Sequence, residues 1–274
     1  MNLITDTKQI NLSSSTTDAK KNGILNSNLA FNIPNLLRKD KNIVYNTIKL
    51  THAEIPYSFY IINEYNNILN LSTGQISLTL GNYNANTFLR LLQSLLPVGY
   101  TVAFDTFTGK FTLEYNTSFS ILPNSTCYKL MGFDNNTTYN SSNNIIVMPY
   151  PANFLGTKNI FIKCPNIILD NYNTQTKDYI TLLSIPVNVP PYGIILYENT
   201  SNMKNVIKNN HLDRIELLIY DEDNNLIDFN NIDWSITIEI ETIINMYINN
   251  LNIGQYLQNQ NPVINYDNIE NPEN

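Results

Sequence analysis

Histidine and cysteine are nearly missing from this chain of 274 residues, which has two of each. Cys127 and Cys164 lie far apart and form no C-x-x-C pair, so neither a zinc site nor a redox dithiol is encoded; two buried free thiols are expected. His52 and His211 cannot supply a three-histidine zinc site. A serine triad would have to use one of them, and no G-x-S-x-G elbow occurs. Basic charge is scarce too: 16 Lys and Arg face 23 Asp and Glu, a net charge of −7. Coating a nucleic acid needs clustered Lys and Arg to neutralise phosphates, so direct nucleic-acid binding is disfavoured. No apolar run reaches the roughly eighteen residues of a membrane span. Met1 to Asn11 lacks the basic and apolar segments of a secretion signal, and a soluble product of a reducing compartment is expected.

Apolar residues, at 43%, suffice for a core without metal or disulfide support. The chain carries 48 Asn, with 13 Lys against 3 Arg and only 6 Ala. That skew follows A/T-rich codons. The asparagines interleave with ordinary strand patterns, which separates them from a prion-like tract. Triplets such as Asn116-Thr117-Ser118 arise by chance at this asparagine content and are weak glycosylation signals.

Residues 1–29 are polar, with Ser13 to Thr17 and Lys20-Lys21, and show no sustained period; they read as a flexible N-terminal arm. Strand patterns begin at Ile43 to Leu50 and continue from Glu54 to Tyr60, where Pro56 suits a strand end. Ile68 to Leu80 breaks at Ser72-Thr73-Gly74 as a hairpin. The period then changes: Phe88, Leu89, Leu91, Leu92, Leu95 and Leu96 form a helical stripe capped by Asn84 or Asn86 and stopped by Pro97 and Gly99. Strands at 100–104 and 110–115 flank a loop bearing Gly109, and Cys127 to Phe133 makes a short apolar turn. Further strands are predicted at 145–148, 159–164, 180–187, 194–198, 215–220 and 234–242. Many short strands separated by Asn, Pro and Gly favour an antiparallel sandwich. Residues 250–274 read as an acidic C-terminal tail.

Candidate chemistry is thin. The run Asp221-Glu222-Asp223-Asn224-Asn225 evokes a calcium loop, but an EF-hand needs Gly and Glu where Leu226 and Ile232 stand, and a solvated hairpin loop is expected instead. Gly109-Lys110 lacks the upstream glycine of a phosphate loop. Glu54, Glu198, Glu239 and Glu241 are carboxylates that could pair across strands as in glycoside hydrolysis, which asks for two carboxyls about 5 to 9 Å apart. No catalytic, cofactor-binding or metal residue is assigned, no cofactor is expected, and the chain reads as no enzyme.

Several segments together resemble a known family. They are Ala53 to Asn63 (A-E-I-P-Y-S-F-Y-I-I-N) followed by Asn66-Asn67, Gly81-Asn82-Tyr83 with its helix, Asp105 to Leu113 (D-T-F-T-G-K-F-T-L), Leu130-Met131-Gly132-Phe133, and Asp221 to Ser235 (D-x-x-N-N-L-I-D-F-x-N-x-D-W-S). The set, spread over most of residues 43–242, resembles the penton and minor capsid proteins of virophages, polinton-like elements and related large DNA viruses with a double-jelly-roll major capsid protein. The resemblance implies a mainly β fold: a single jelly-roll β-sandwich over 30–73 and 134–249, with an inserted α+β (βαββα) subdomain at 74–133. It implies a pentamer at the icosahedral vertex of a virion, made in the host cytoplasm, with the major capsid protein and other minor capsid proteins as partners. Another minor capsid or cement role, and a carbohydrate-binding or adhesin sandwich, are the alternatives. The arm, with Leu3, Ile4, Ile10, Leu12, Ile24 and Leu25 as anchors, and the tail, with Tyr256, Leu257, Val263, Ile264 and Tyr266, are expected to order on neighbouring subunits.

Overall fold

Alternation of buried and outward residues is plain in two of the long strands of the computed structural model, which describes residues 2–37, 42–167, 169, 172–174, 177–209 and 211–246. In Ser235–Met246 the isoleucines 236, 238 and 240 are buried, while Thr237, Glu239 and Glu241 between them face outward. In Leu212–Tyr220 the inward set is Ile215, Leu217 and Ile219. Such a pattern gives each strand one apolar face, which must pack on another sheet.

Two five-stranded antiparallel sheets do so. In chain order the strands are β1 (Asn2–Ser13), β2 (Ala19–Lys21), β3 (Asn28–Leu37), β4 (Ile43–Pro56), then, after an insertion carrying β5 to β11, β12 (Asn159–Lys163), β13 (Thr181–Pro186), β14 (Ile194–Glu198), β15 (Asn205–Ile207), β16 (Leu212–Tyr220) and β17 (Ser235–Met246). Sheet A has the order β1-β17-β4-β14, with β15 beside β4; sheet B has β13-β12-β16-β3-β2. Setting the short β2 aside and counting β14 with β15 as one interrupted strand, the orders are 1-8-3-6 and 2-7-4-5. That is the jelly roll: two interlocked Greek keys in which neighbouring strands come from distant parts of the chain. Between the sheets, Ile48, Leu50, Ile55 and Ile238 of one pack with Leu29, Ile160, Ile215 and Leu217 of the other.

The expected N-terminal arm is corrected by this arrangement. β1 pairs with β17 over twelve consecutive positions, Asn2↔Met246 to Ser13↔Ser235. Trp234 locks the following turn: its N–H donates to Ser14 Oγ at 3.0 Å and its indole Nε1 to Asn26 O at 2.9 Å, and its ring meets Phe31 edge-on. An edge strand that is largely open to solvent has few apolar positions to fill, so its sequence reads as polar although its backbone is paired.

The insertion lies between β4 and β12 and has its own core. It contains β5 (Ile68–Leu71), β6 (Gly74–Ser77), α1 (Ala85–Leu95), β7 (Thr101–Asp105), β8 (Lys110–Glu114), β9 (Ser120–Ile121), α2 (Tyr128–Met131), β10 (Tyr139–Asn140) and β11 (Ile145–Val147). Asn84 caps α1 through a reciprocal capping box with Thr87, and Phe88 and Leu92 are its buried residues. The boundaries expected at 74 and 133 are too narrow. β5 pairs with β6 and β9, β11 pairs with β8, and the buried core members run from Ile61 to Met148. The C-terminal tail expected at 250–274 lies outside the described residues.

Asparagine does much of the turn work. Among the described residues, eight of the ten non-glycine positions with positive φ are Asn: 35, 124, 143, 144, 202, 224, 230 and 231. Its short side chain tolerates the left-handed region better than most others, so a chain with only 9 glycines still closes its turns. No helix among the described residues is long and apolar enough to cross a membrane.

Candidate functional site

The outer face of sheet A is where polar and apolar groups are set out in rows. Register places Leu196, Glu54, Ser235 and Ser13 in one row, and Glu198, His52, Thr237 and Asn11 in the next. Further along, Lys49 Nζ lies 2.7 Å from Glu239 and 3.7 Å from Glu241, and Lys204 Nζ lies 2.6 Å from Glu241. The four carboxylates singled out from the sequence therefore do share one face. Lys49 and Lys204 neutralise Glu239 and Glu241, so those two are not arranged as an acid and base pair. The hydrogen bond from Lys204 and the nearby ammonium charges hold the Glu241 carboxyl below its ordinary range, and the Glu239 hydrogen bond holds Lys49 above its own. Neither partner is poised to exchange a proton near neutrality.

His52 Nε2 lies 3.3 Å from Glu54 on this face, whereas His211 is an exposed residue immediately before β16 of sheet B. The two thiols are also apart, Cys127 in the inserted core and Cys164 in the roll core, each buried and pushed up to about 12 by desolvation. Gly109-Lys110 is a hairpin end; Asp105 accepts from Phe107 N and Thr108 Oγ1 in the loop before it. Among the described residues no group of three or more metal-ligating side chains is brought together.

At its β14 edge the same face turns apolar. Ile194 and Leu196 project outward at 61% exposure each, and Tyr192 at 80%. Tyr192, Ile194 and Ile232, together with Pro56, Tyr57 and Trp234, line a groove of about 510 Å³. The backbone that presents Tyr192 is strained. Gly193 N–H donates to Pro190 O at 3.0 Å, closing a turn with Pro191 second and Tyr192 third, and Tyr192 has φ +71°. A turn of this kind favours Gly at the third position. Tyrosine there costs about 1 kcal/mol and directs a ring to solvent. Such an outlier points to use of the side chain beyond the fold. Composition gave no sign of this strip, since Ile194 and Leu196 read as ordinary strand residues until the register turned them outward.

The acidic run proves to be more than a solvated loop. Asp221 Oδ1 accepts from Asp223 N and Asn225 N, Asp223 takes both of its oxygens to Lys129 Nζ of α2 (2.6 and 2.7 Å), and Glu222 accepts from Lys158 N. The loop thus clamps the insertion to the roll. It also covers Lys163, whose Nζ is buried against Asn224 Oδ1 (2.8 Å), Asp178 (2.9 Å) and the Tyr220 ring.

No family model matches this sequence, and no curated protein sequence is significantly similar to it. Among solved structures, the crystal structure of the selenomethionine-labelled mavirus penton protein is similar at 13% identity, over 88% of this chain and 100% of that one, with a TM-score of 0.41. An overlay that loose adds nothing to the strand order, which establishes the jelly roll by itself.

Proposed function

We propose that this chain is a structural capsid subunit, a single jelly roll standing at the icosahedral vertex of a virion as a ring of five beside the major capsid protein. The observation that carries the reading is the outward strip made by Ile194 and Leu196 on one edge strand of a jelly-roll sheet and by Tyr192 in the turn that leads into it. A large apolar group held out to solvent at a backbone cost is what a subunit contact uses, and aromatic residues are enriched in such contacts. A patch on one edge that meets a different surface of the next copy closes a ring when repeated about an axis. An obligate contact of this class buries roughly 2,000 Å² or more. The outward positions of β4 and β17 hold Lys49, His52, Glu54, Thr237, Glu239 and Glu241, whereas a carbohydrate-binding face presents stacked rings. Three of the five segments that resemble penton and minor capsid proteins fall at structural joints: the end of β4, helix α2 and the stretch that begins with the Asp221–Asn225 clamp.

Locating the chain in a reconstruction of the virion tests the assignment. Its density is expected at the fivefold vertices; another protein there, with this chain at threefold or interior positions, overturns the penton reading and leaves a minor capsid role. In vitro, I194K with L196K should abolish assembly of the ring beside the major capsid protein while leaving the fold intact. Assembly at the wild-type level would remove the strip from the interface.

A further inference from the structure

Where the insertion joins the roll, a cavity of about 380 Å³ opens beside the loop that follows β16. One wall is the chain leaving β4, with Phe59, Tyr60 and the turn at Glu64-Tyr65; the other is the 221–230 loop, with Leu226 and Ile227. Hydrogen bonds within the chain hold those walls. Ser58 Oγ donates to Phe229 O at 2.7 Å and Asn230 Nδ2 to Ser58 O at 2.6 Å, while Tyr65 N donates to Asn63 Oδ1 at 2.9 Å. A cavity of this size, with apolar walls and a few polar groups converging on it, is the ordinary form of a binding pocket.

Its charged groups are all of one sign. Glu64, Asp221 and Asp228 line it, and among the described residues no Lys, Arg or His does. Asp221 is half-buried and takes neutral amide donors: Asp223 N and Asn225 N on Oδ1, Asn225 Nδ2 on Oδ2. Burial above all pushes its carboxyl above the ordinary value, and a cation entering the cavity would offset that cost. The lysines that meet the same loop are already engaged, Lys129 by Asp223 and Lys163 by Asn224 and Asp178.

One side-chain chemistry matches both sets of groups. Lysine and arginine carry an apolar stem behind a cationic head. The stem suits the Leu226 and Ile227 wall; the head suits the carboxylates and the Tyr60 and Tyr65 rings. The mouth is apolar as well, with Ile24 91% exposed, Tyr65 49% and Leu80 38%. A small amine in the cavity would leave that rim bare, whereas a protein segment sets the apolar neighbours of its cation against it. A chain of net charge −7 gains charge complementarity from a basic partner more than from its own copy.

We propose that this cavity docks a lysine or arginine side chain, flanked by apolar residues, of a protein other than this chain. The site goes beyond the ring contact above and shares no lining residue with the groove beside Tyr192. Calorimetric titration of the full chain with a capped Leu-Lys-Leu peptide tests it, and saturable binding at one site is expected. Replacing the peptide's lysine by norleucine keeps the stem, removes the charge and should weaken binding about tenfold; E64Q with D228N in the protein should do the same. Both of those carboxylates are exposed, so the variant should keep the fold. n-Butylammonium alone should bind more weakly than the peptide. The absence of saturable binding, an undiminished norleucine peptide or an unaffected E64Q and D228N variant each overturns the proposal. Binding of n-butylammonium as tight as that of the peptide overturns it too, by making the site one for small amines. So does self-association of the wild type that the peptide dissolves, which would make a second copy the occupant. The I194K and L196K changes should leave the titration unchanged, which separates failure of the ring from failure of this site.

Discussion

The two sheets of the roll are finished differently. Sheet B is closed over: Phe161 and Lys163 sit on its outer side yet are buried, under the 221–229 loop and the segment around Asp178. Its margin at β2 is three residues long and carries Lys20 and Lys21, the kind of short charged edge that resists further pairing. Sheet A keeps a bare outer face, an apolar strip at β14 and a long open margin at β1. A sheet that is covered and guarded serves the monomer. One left open at both edges has surface to give to other subunits.

The largest expected effect breaks the comparison at β1. Deleting residues 1–13 removes a strand paired along the whole of β17, with buried Leu12, and should abolish cooperative unfolding by urea; a normal transition would show that β1 is only an attachment. Next, K163A strands Asp178 and Asn224 under the loop and should cost about 3 to 5 kcal/mol, whereas K49A on the open face, in a partly solvated network, should cost about 1 kcal/mol or less. Comparable losses in denaturant titrations would mean that the two faces are equally closed. Smaller still, Y192G should raise the unfolding free energy by up to about 1 kcal/mol through relief of the left-handed backbone, while weakening self-association. A drop in both would make Tyr192 part of the monomer's packing.

Acid should separate the sheets by sign. The Glu241 carboxyl on sheet A has a folded value below the ordinary 4.5, so the stability it contributes is present above 4.5 and is lost as pH falls through the folded value. Asp221, in the loop that covers sheet B, is raised above 3.8 by burial, so its ionisation opposes folding at neutral pH and that penalty is relieved on acidification through its folded value. Stability measured against pH should therefore fall less steeply in E241Q and more steeply in D221N. A change of the opposite sign in either variant would reject the assigned cause.

Much of this was legible in the sequence. The α1 stripe, the hairpin broken at Ser72-Thr73-Gly74 and the alternating strands near 215–220 and 234–242 stand as read, Asn84 is the one of the two candidate caps that is used, and the strand expected on to Tyr60 ends at Pro56; each is set by local periodicity, capping and turn chemistry. β1 and β2 were hidden for the opposite reason. Residues 1–29 have little apolar content of their own, and it is β17, more than two hundred residues away, that pairs with β1. The clamp at Asp221–Asn225 was equally invisible, since its partners Lys129, Lys158 and Lys163 come from three other places in the chain.

By itself, then, the sequence determined a mostly antiparallel β protein with one helix-bearing stretch near its middle, since backbone propensity and side-chain period act over a few residues. Tertiary structure alone decided which strands became margins, which side of each sheet met water and where Tyr192, Ile194 and Leu196 were displayed. Those outcomes follow from register between distant strands, where a shift of one residue turns every side chain to the other face.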